Sequence, residues 1–154
     1  MADFRQLKRS KDSEKFISVQ ISPHSLYCWN ARFIGFDSSD CIFNDLQRHN
    51  VDGIDLELTF GAQFPNLPPF VRVVKPIFAF RTGHVTMGGA ICHSLLASDG
   101  WLPSFSVEAL LLELRSLMLD GQARLDSNQD LSQYSEHAAR SAFSRAMNMH
   151  NWKV

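Results

Sequence analysis

The residues able to do chemistry are few: three cysteines, Cys28, Cys41 and Cys92, and six scattered histidines. An odd number of thiols with no Cys-x-x-Cys spacing argues against a disulfide framework. Cys28 alternates within a strand pattern and Cys41 adjoins Ile42 and Phe43, so both read as inert, buried thiols. Cys92 does not fit that reading. It ends the run Gly88-Gly89-Ala90-Ile91-Cys92, a glycine-rich stretch without period where a backbone or another peptide could approach closely. His93 is adjacent, but no other Cys or His stands at metal-ligand spacing, and a structural zinc needs four ligands in closely spaced pairs. The sequence holds neither a glycine-rich phosphate loop ending in Gly-Lys-Ser/Thr nor a His-Glu-x-x-His pair. Cys92 is therefore the thiol left available for nucleophilic chemistry.

A nucleophile needs a scaffold, and 154 residues with 45% hydrophobic, 20% charged and 11% aromatic content suffice for one domain. Folding at this length removes roughly 68–70% of the unfolded chain's surface from water, enough for a core without staples. We read residues 1–154 as a single domain with 126–154 as its C-terminal helical extension. A net charge of −1 provides no global field for nucleic acid or anionic lipid, so no nucleic-acid partner is expected. The most apolar segment, Val107 to Leu119, is interrupted by Glu108, Glu113 and Arg115, and no membrane partner is expected either. Met1 to Lys15 is charged throughout and lacks the apolar stretch of a secretory signal. These features suit a reducing compartment, the cytoplasm with the nucleus also open.

Periodicity orders the elements. Asp3 to Lys15 reads as a short amphipathic helix, with Phe4 and Leu7 inward and Arg5, Lys8 and Arg9 on a second face. Ile17, Val19 and Ile21 alternate with polar residues as a strand that stops at Ser22-Pro23-His24-Ser25. A second strand covers Leu26 to Ile34 with Tyr27, Trp29, Ala31 and Phe33 on one face, and Gly35 closes it. Asp37 to Gly53 reads as a long connection anchored near Cys41, Ile42 and Phe43. Ile54, Leu56, Leu58 and Phe60 mark a third strand, halted by the prolines of 64–69, and Phe70 to Val74 a fourth. Successive strands joined by turns imply an antiparallel meander, hence an α+β fold. Lys75 to Pro103 has neither period, and long ordered loops of this kind are usually functional. Val107, Leu110, Leu111, Leu114 and Met118 form the stripe of a core helix, capped by Ser106 and stopped at Gly121. A weaker helical pattern runs from Ser132 to Met149 around Tyr134, Ala138, Ala142 and Phe143.

Four motifs occur in order along this framework: Leu26-Tyr27-Cys28-Trp29-Asn30-Ala31 with Gly35; Leu58 through Pro69 with its Phe-Pro and Pro-Pro; Gly89-Ala90-Ile91-Cys92; and Trp101-Leu102-Pro103 before the leucine-rich helix. With them the chain resembles the ubiquitin-conjugating enzymes over most of its length. Gln133-Tyr134-Ser135, Asn151-Trp152 and Asp99-Gly100-Trp101 resemble the Q-type branch in particular. The resemblance implies that Cys92 accepts ubiquitin, or a ubiquitin-like modifier, from the activating enzyme as a thioester and passes it to an amine of a protein substrate. Gly88 and Gly89 would leave room for the incoming modifier tail. ATP is consumed by the activating enzyme, so no cofactor is expected here.

One position departs from the family pattern. Eight residues before the cysteine, where relatives carry an asparagine that steadies the loop and the oxyanion, this chain has His84 within Thr82-Gly83-His84. Histidine donates one hydrogen bond, or two when protonated, which would give the role a pH dependence that asparagine lacks; a loop-holding role is the alternative. For the acidic gate that helps deprotonate an attacking lysine, Asp120 and Asp126 are the candidates. A substrate N-terminus or a hydroxyl stays open as acceptor. By position, Arg5, Lys8 and Arg9 would meet the activating enzyme, and Phe64, Asn66, Leu67, Leu102 and Pro103 a ligase, with RING as the expected type. Two further readings stay open beside the enzyme: a catalytically silent ubiquitin-binding or scaffold version of the fold, and a cysteine hydrolase pairing Cys92 with His84 or His137.

Overall fold

The computed structural model describes residues 13–128 and 132–153. Arg5, Lys8, Arg9 and most of the expected first helix lie outside them; Ser13–Lys15 forms a short 3-10 turn. Strands β1 (Ile17–Ser22), β2 (Ser25–Phe33), β3 (Ile54–Thr59) and β4 (Phe70–Lys75) follow, then helices α2 (Val107–Asp120) and α3 (Glu136–His150), with a short helix α1 (Phe43–Arg48) between β2 and β3. The sheet runs β1-β2-β3-β4 with every pair antiparallel, the expected meander.

Alternation in the sequence becomes a buried face. Ile17, Val19, Trp29, Ala31, Phe33, Ile54, Leu56, Leu58, Val71 and Val73 share one core with the α2 stripe of Val107, Leu110, Leu111, Leu114 and Met118. Tyr27 is the exception, 69% exposed where the period places it inside. The pairing of β1 with β2 slips between Ile21, opposite Trp29, and Ser22, opposite Ser25, so the residues between Ser25 and Trp29 have no partner in β1, while Cys28 stays paired with Thr59 of β3.

α1 replaces part of the expected connection. Six residues are too few to display a helical period, yet Ile42 and Leu46 are buried one turn apart and the Asp45 carboxylate goes in with them. At the start of α2, Ser106 Oγ accepts from the Ala109 N–H at 3.1 Å, as its type predicts. At its end the expectation changes. Gly121 keeps a near-helical φ of −75°, and Gln122 takes the left-handed turn at φ 52°. The Gln122 and Ala123 amides close the helix on Leu119 and Met118 carbonyls, the Schellman pattern. α3 buries Ala139, Ala142, Phe143, Ala146 and Met147, spaced i, i+3, i+4, i+7 and i+8, and Phe143 packs edge-on against Phe70 of β4 at 5.4 Å. Among the described residues no helix is long and apolar enough to cross a membrane.

Candidate active site

The irregular stretch after β4 contains a tight hairpin. Val85 bridges Ile91, the Thr86 amide donates to Ala90 O, Gly89 N to Thr86 O, and Cys92 N to His84 O at 2.8 Å. This pairing turns a separation of eight residues into a face-to-face arrangement. The second arm adds to the free edge of β4 through Val73 N to Gly89 O and an Arg72–Ala90 bridge, so the edge is covered and the hairpin is anchored to the sheet. Gly88 and Gly89 have a role other than the expected one. A Cβ on Gly88 would run into the Ala138 carbonyl of α3, and one on Gly89, at φ 90°, into the Tyr134 ring. The space beside both glycines is filled by this chain's own C-terminal segment. Tyr134 seals it: its hydroxyl accepts from Phe78 N at 2.8 Å, and its carbonyl accepts from the Arg72 guanidinium at 3.1 Å.

His84 and Cys92 line one cleft of about 290 Å³, together with Arg81, Val85, Thr86 and Gly121. Cys92 is half-buried, and burial alone pushes its thiol above the ordinary range. The His84 ring lies against the end of α2, where a Cβ on Gly121 would come within 2.6 Å of its Cδ2 and 3.0 Å of its Nε2. Gly121 is therefore required by the imidazole and not by the helix stop. Since φ −75° suits alanine, Gly121→Ala is expected to leave α2 folded while driving the imidazole out of the cleft. NMR of the His84 ring checks this, and an unmoved ring would refute it.

Struts hold the loop from below. The Gly83 amide donates to Gly121 O at 2.8 Å, and Thr82 Oγ1 lies within 3.2 Å of the Ala79 and Arg124 carbonyls and of Arg124 N. Arg124 is in turn gripped by Asp45 of α1, which accepts from Nε at 2.6 Å, from Nη2 at 3.1 Å and from Leu125 N at 3.1 Å. These bonds support two left-handed non-glycine residues, Arg81 at φ 61° and His84 at φ 56°, each an unfavourable backbone of about 1–2 kcal/mol.

Other expected residues are placed elsewhere. Asp120 is exposed at the last turn of α2, and Asp126 accepts from Asn128 N at 2.9 Å; neither lines the cleft. Two further residues stand at or beside the site. Arg81 stands at the cleft. His93 caps the 3-10 turn Ser94–Leu96 by accepting from Leu95 N at its Nδ1. Burial first, and then the neighbouring His84, hold the His93 imidazole below its ordinary pKa, against the opposing charge of Glu113 on α2. No periodicity or motif marks these two; packing brings them here. Cys41 is the exposed thiol, donating to Gln122 Oε1 at 2.9 Å. Among the described residues no three His, Cys, Asp or Glu side chains gather as a metal site.

The two loops expected to meet a ligase come together. The Trp101 indole donates to Pro65 O at 2.7 Å, and a ring ladder of Trp29, Phe60, Phe64, Trp101 and Phe105 joins them at centroid spacings of 4.7 to 6.3 Å. Phe64 and Leu67 are half-buried, while Asn66, Leu102 and Pro103 face solvent.

Residues 2–151 match the family model for ubiquitin-conjugating enzymes. The chain belongs to the ubiquitin-conjugating enzyme family. Human ubiquitin-conjugating enzyme E2 Q1 is 33% identical over 155 residues, covering 97% of this chain and 36% of that longer protein. A shorter human relative, the ubiquitin-conjugating enzyme Q-like protein 1, is 33% identical over 140 residues, covering 90% of this chain and 86% of its own length. Both likenesses place this chain in the Q branch, and it spans about a third of the longer of the two relatives. The solved structure of human ubiquitin-conjugating enzyme E2 G1 superposes with a TM-score of 0.62 at 22% identity, over 77% of this chain and 90% of that one, so the fold is that of the family.

Proposed function

We propose that this chain accepts ubiquitin from the activating enzyme as a thioester on Cys92 and transfers it to an amine of a protein substrate, directly or with a RING-type ligase. The observation that carries the reading is a half-buried thiol facing His84 across the hairpin, in one solvent-reached cleft of a conjugating fold. A hydrolase thiol is activated by a cation that lowers its pKa; burial alone acts on Cys92, and raises it. The activating enzyme, which spends the ATP, would dock on Arg5, Lys8 and Arg9. A ligase would grip the linked loops at Phe64, Asn66, Leu67, Leu102 and Pro103, in the cytoplasm or nucleus. Mixing the chain with activating enzyme, ATP and ubiquitin tests this: a reductant-sensitive adduct is expected, and its absence sinks the proposal.

His84 would then donate to the oxyanion that forms when the acceptor attacks. His84→Ala is expected to load normally and to discharge about 100-fold more slowly, the scale of a lost oxyanion donor. His84→Asn, which tolerates the left-handed backbone and keeps a donor, should restore most of the rate. Equal discharge by His84→Ala and the parent would leave His84 as a loop anchor only.

A further inference from the structure

We infer that the Cys92 cleft selects acceptors carried in acidic peptide segments, with Arg81 as the residue that reads the acid. The inference rests on the acyl-transfer reading above. Among the residues lining the cleft, Arg81, His84, Val85, Thr86, Cys92 and Gly121, there is no carboxylate. The acids nearby are engaged or set apart. Asp45 is buried on Arg124, Asp126 accepts from Asn128, Asp120 is exposed off the lining, and the charge of Glu113 falls on His93. Arg81 has no ion pair among the described residues; its guanidinium sits 5.0 Å over the Phe80 ring. Its backbone cannot drift, because φ 61° is fixed between Ala79 and Thr82, both hydrogen-bonded to Arg124. The backbone of Arg81 is therefore held at the lining of the cleft that contains Cys92, with its exposed guanidinium over Phe80 at the rim. Phe80, the preceding residue, is 67% exposed, and Met87, in the turn of the hairpin, is 80% exposed.

The reacting step explains why the cation matters. A neutral amine or hydroxyl attacks the thioester carbonyl, the new bond to carbon forms, the carbon–sulfur bond breaks, and the thiolate leaves with the proton that the acceptor gives up. A lysine arrives as an ammonium and is repelled by Arg81. Carboxylates on the same peptide reverse the sign of that encounter and hold the acceptor at the cleft.

The test uses chain preloaded with ubiquitin and then freed of activating enzyme. Its discharge is followed, per loaded molecule and against water alone, on two peptides that each carry one lysine and one serine, flanked by Asp and Glu in one and by Asn and Gln in the other. The acidic peptide is expected to discharge it about three- to fivefold faster at low salt, the scale of an exposed ion pair, with the gap closing at about 0.5 M salt. Arg81→Gln should make the two rates equal, Arg81→Glu should invert them, and Arg81→Lys should keep the preference. Equal rates in the parent, no acceleration over water, a preference that survives Arg81→Gln, or a uniform slowing of both peptides in that variant each overturn the inference. The last outcome would mean that Arg81 holds the modifier. A chain that fails to load overturns the acyl-transfer reading with it; a chain that loads and discharges without preference overturns this inference alone.

Discussion

Replacing Cys92 by serine should convert a reductant-sensitive ubiquitin adduct into a reductant-resistant one, and replacing it by alanine should abolish the adduct, with Cys28 and Cys41 still in place. Serine attacks the same carbonyl but leaves an oxygen ester that thiols do not cleave readily, so the change of bond identifies the residue. Cys41 is the appropriate internal control, because it is the exposed thiol and yet lies outside the cleft. A reductant-sensitive adduct that persists in Cys92→Ala would move the site to one of the other two thiols. The pH dependence has a definite sign. Burial raises the Cys92 pKa and no neighbouring charge lowers it, so thiolate is scarcer at neutral pH than on an ordinary cysteine. The loading rate should go on climbing past about pH 8.5, where a free thiol is half ionised. A rate that levels off below about pH 8 would contradict this environment.

Asp45→Ala should destabilise the fold clearly, although Asp45 lies outside the hydrophobic core. Its carboxylate, 2% exposed, is bound by the Arg124 guanidinium and the Leu125 amide, with Arg48 at 3.5 Å. Arg124 is itself half exposed, so loss of the acid lets that cation return to water and the penalty falls short of a fully buried pair. What remains is an unpaired Leu125 amide and a lost charged hydrogen bond, about 2 kcal/mol together, or a melting shift of about 4–8 °C for a domain of this size. Thermal unfolding measures it, and an unchanged midpoint would refute it. The Arg124 hydrogen bond, chiefly, holds the Asp45 carboxyl below its ordinary range. A lowered carboxylate contributes stability that is present above its unfolded pKa, near about 3.9, and is lost as pH falls through the folded value. The stability gap between parent and Asp45→Asn should therefore be constant at neutral pH and shrink below about pH 4.

Strands were legible because burial on one face of a sheet writes a period of two into the chain, as in Ile54 to Thr59. The α2 stripe was legible for the same reason at helical period. Shorter or longer-range causes leave no such trace. α1 is six residues long, and its inward acid, Asp45, reads locally as a surface residue; only Arg124, 79 positions away, makes it a buried one. Tyr27 obeys the alternation but overruns the register slip in β1.

Glycines show the division most clearly. In sequence, Gly88, Gly89 and Gly121 mark places where a side chain is unwelcome, and nothing more. Helix α3 and Tyr134 occupy the space at the first two, and the His84 ring occupies it at the third.

The sequence by itself determined the family, the meander, the core helix and the identity of Cys92 as the candidate acceptor, because ordered motifs and periodic burial are local properties of the chain. Tertiary structure alone decided what surrounds that thiol. It closed His84 onto Cys92 across a hairpin, set Arg81 at the cleft, placed Asp120 and Asp126 off it, and tied the loop through Thr82 and Arg124 to Asp45. Those relations join residues far apart in the chain, and only packing that is solved all at once can bring them within hydrogen-bonding distance.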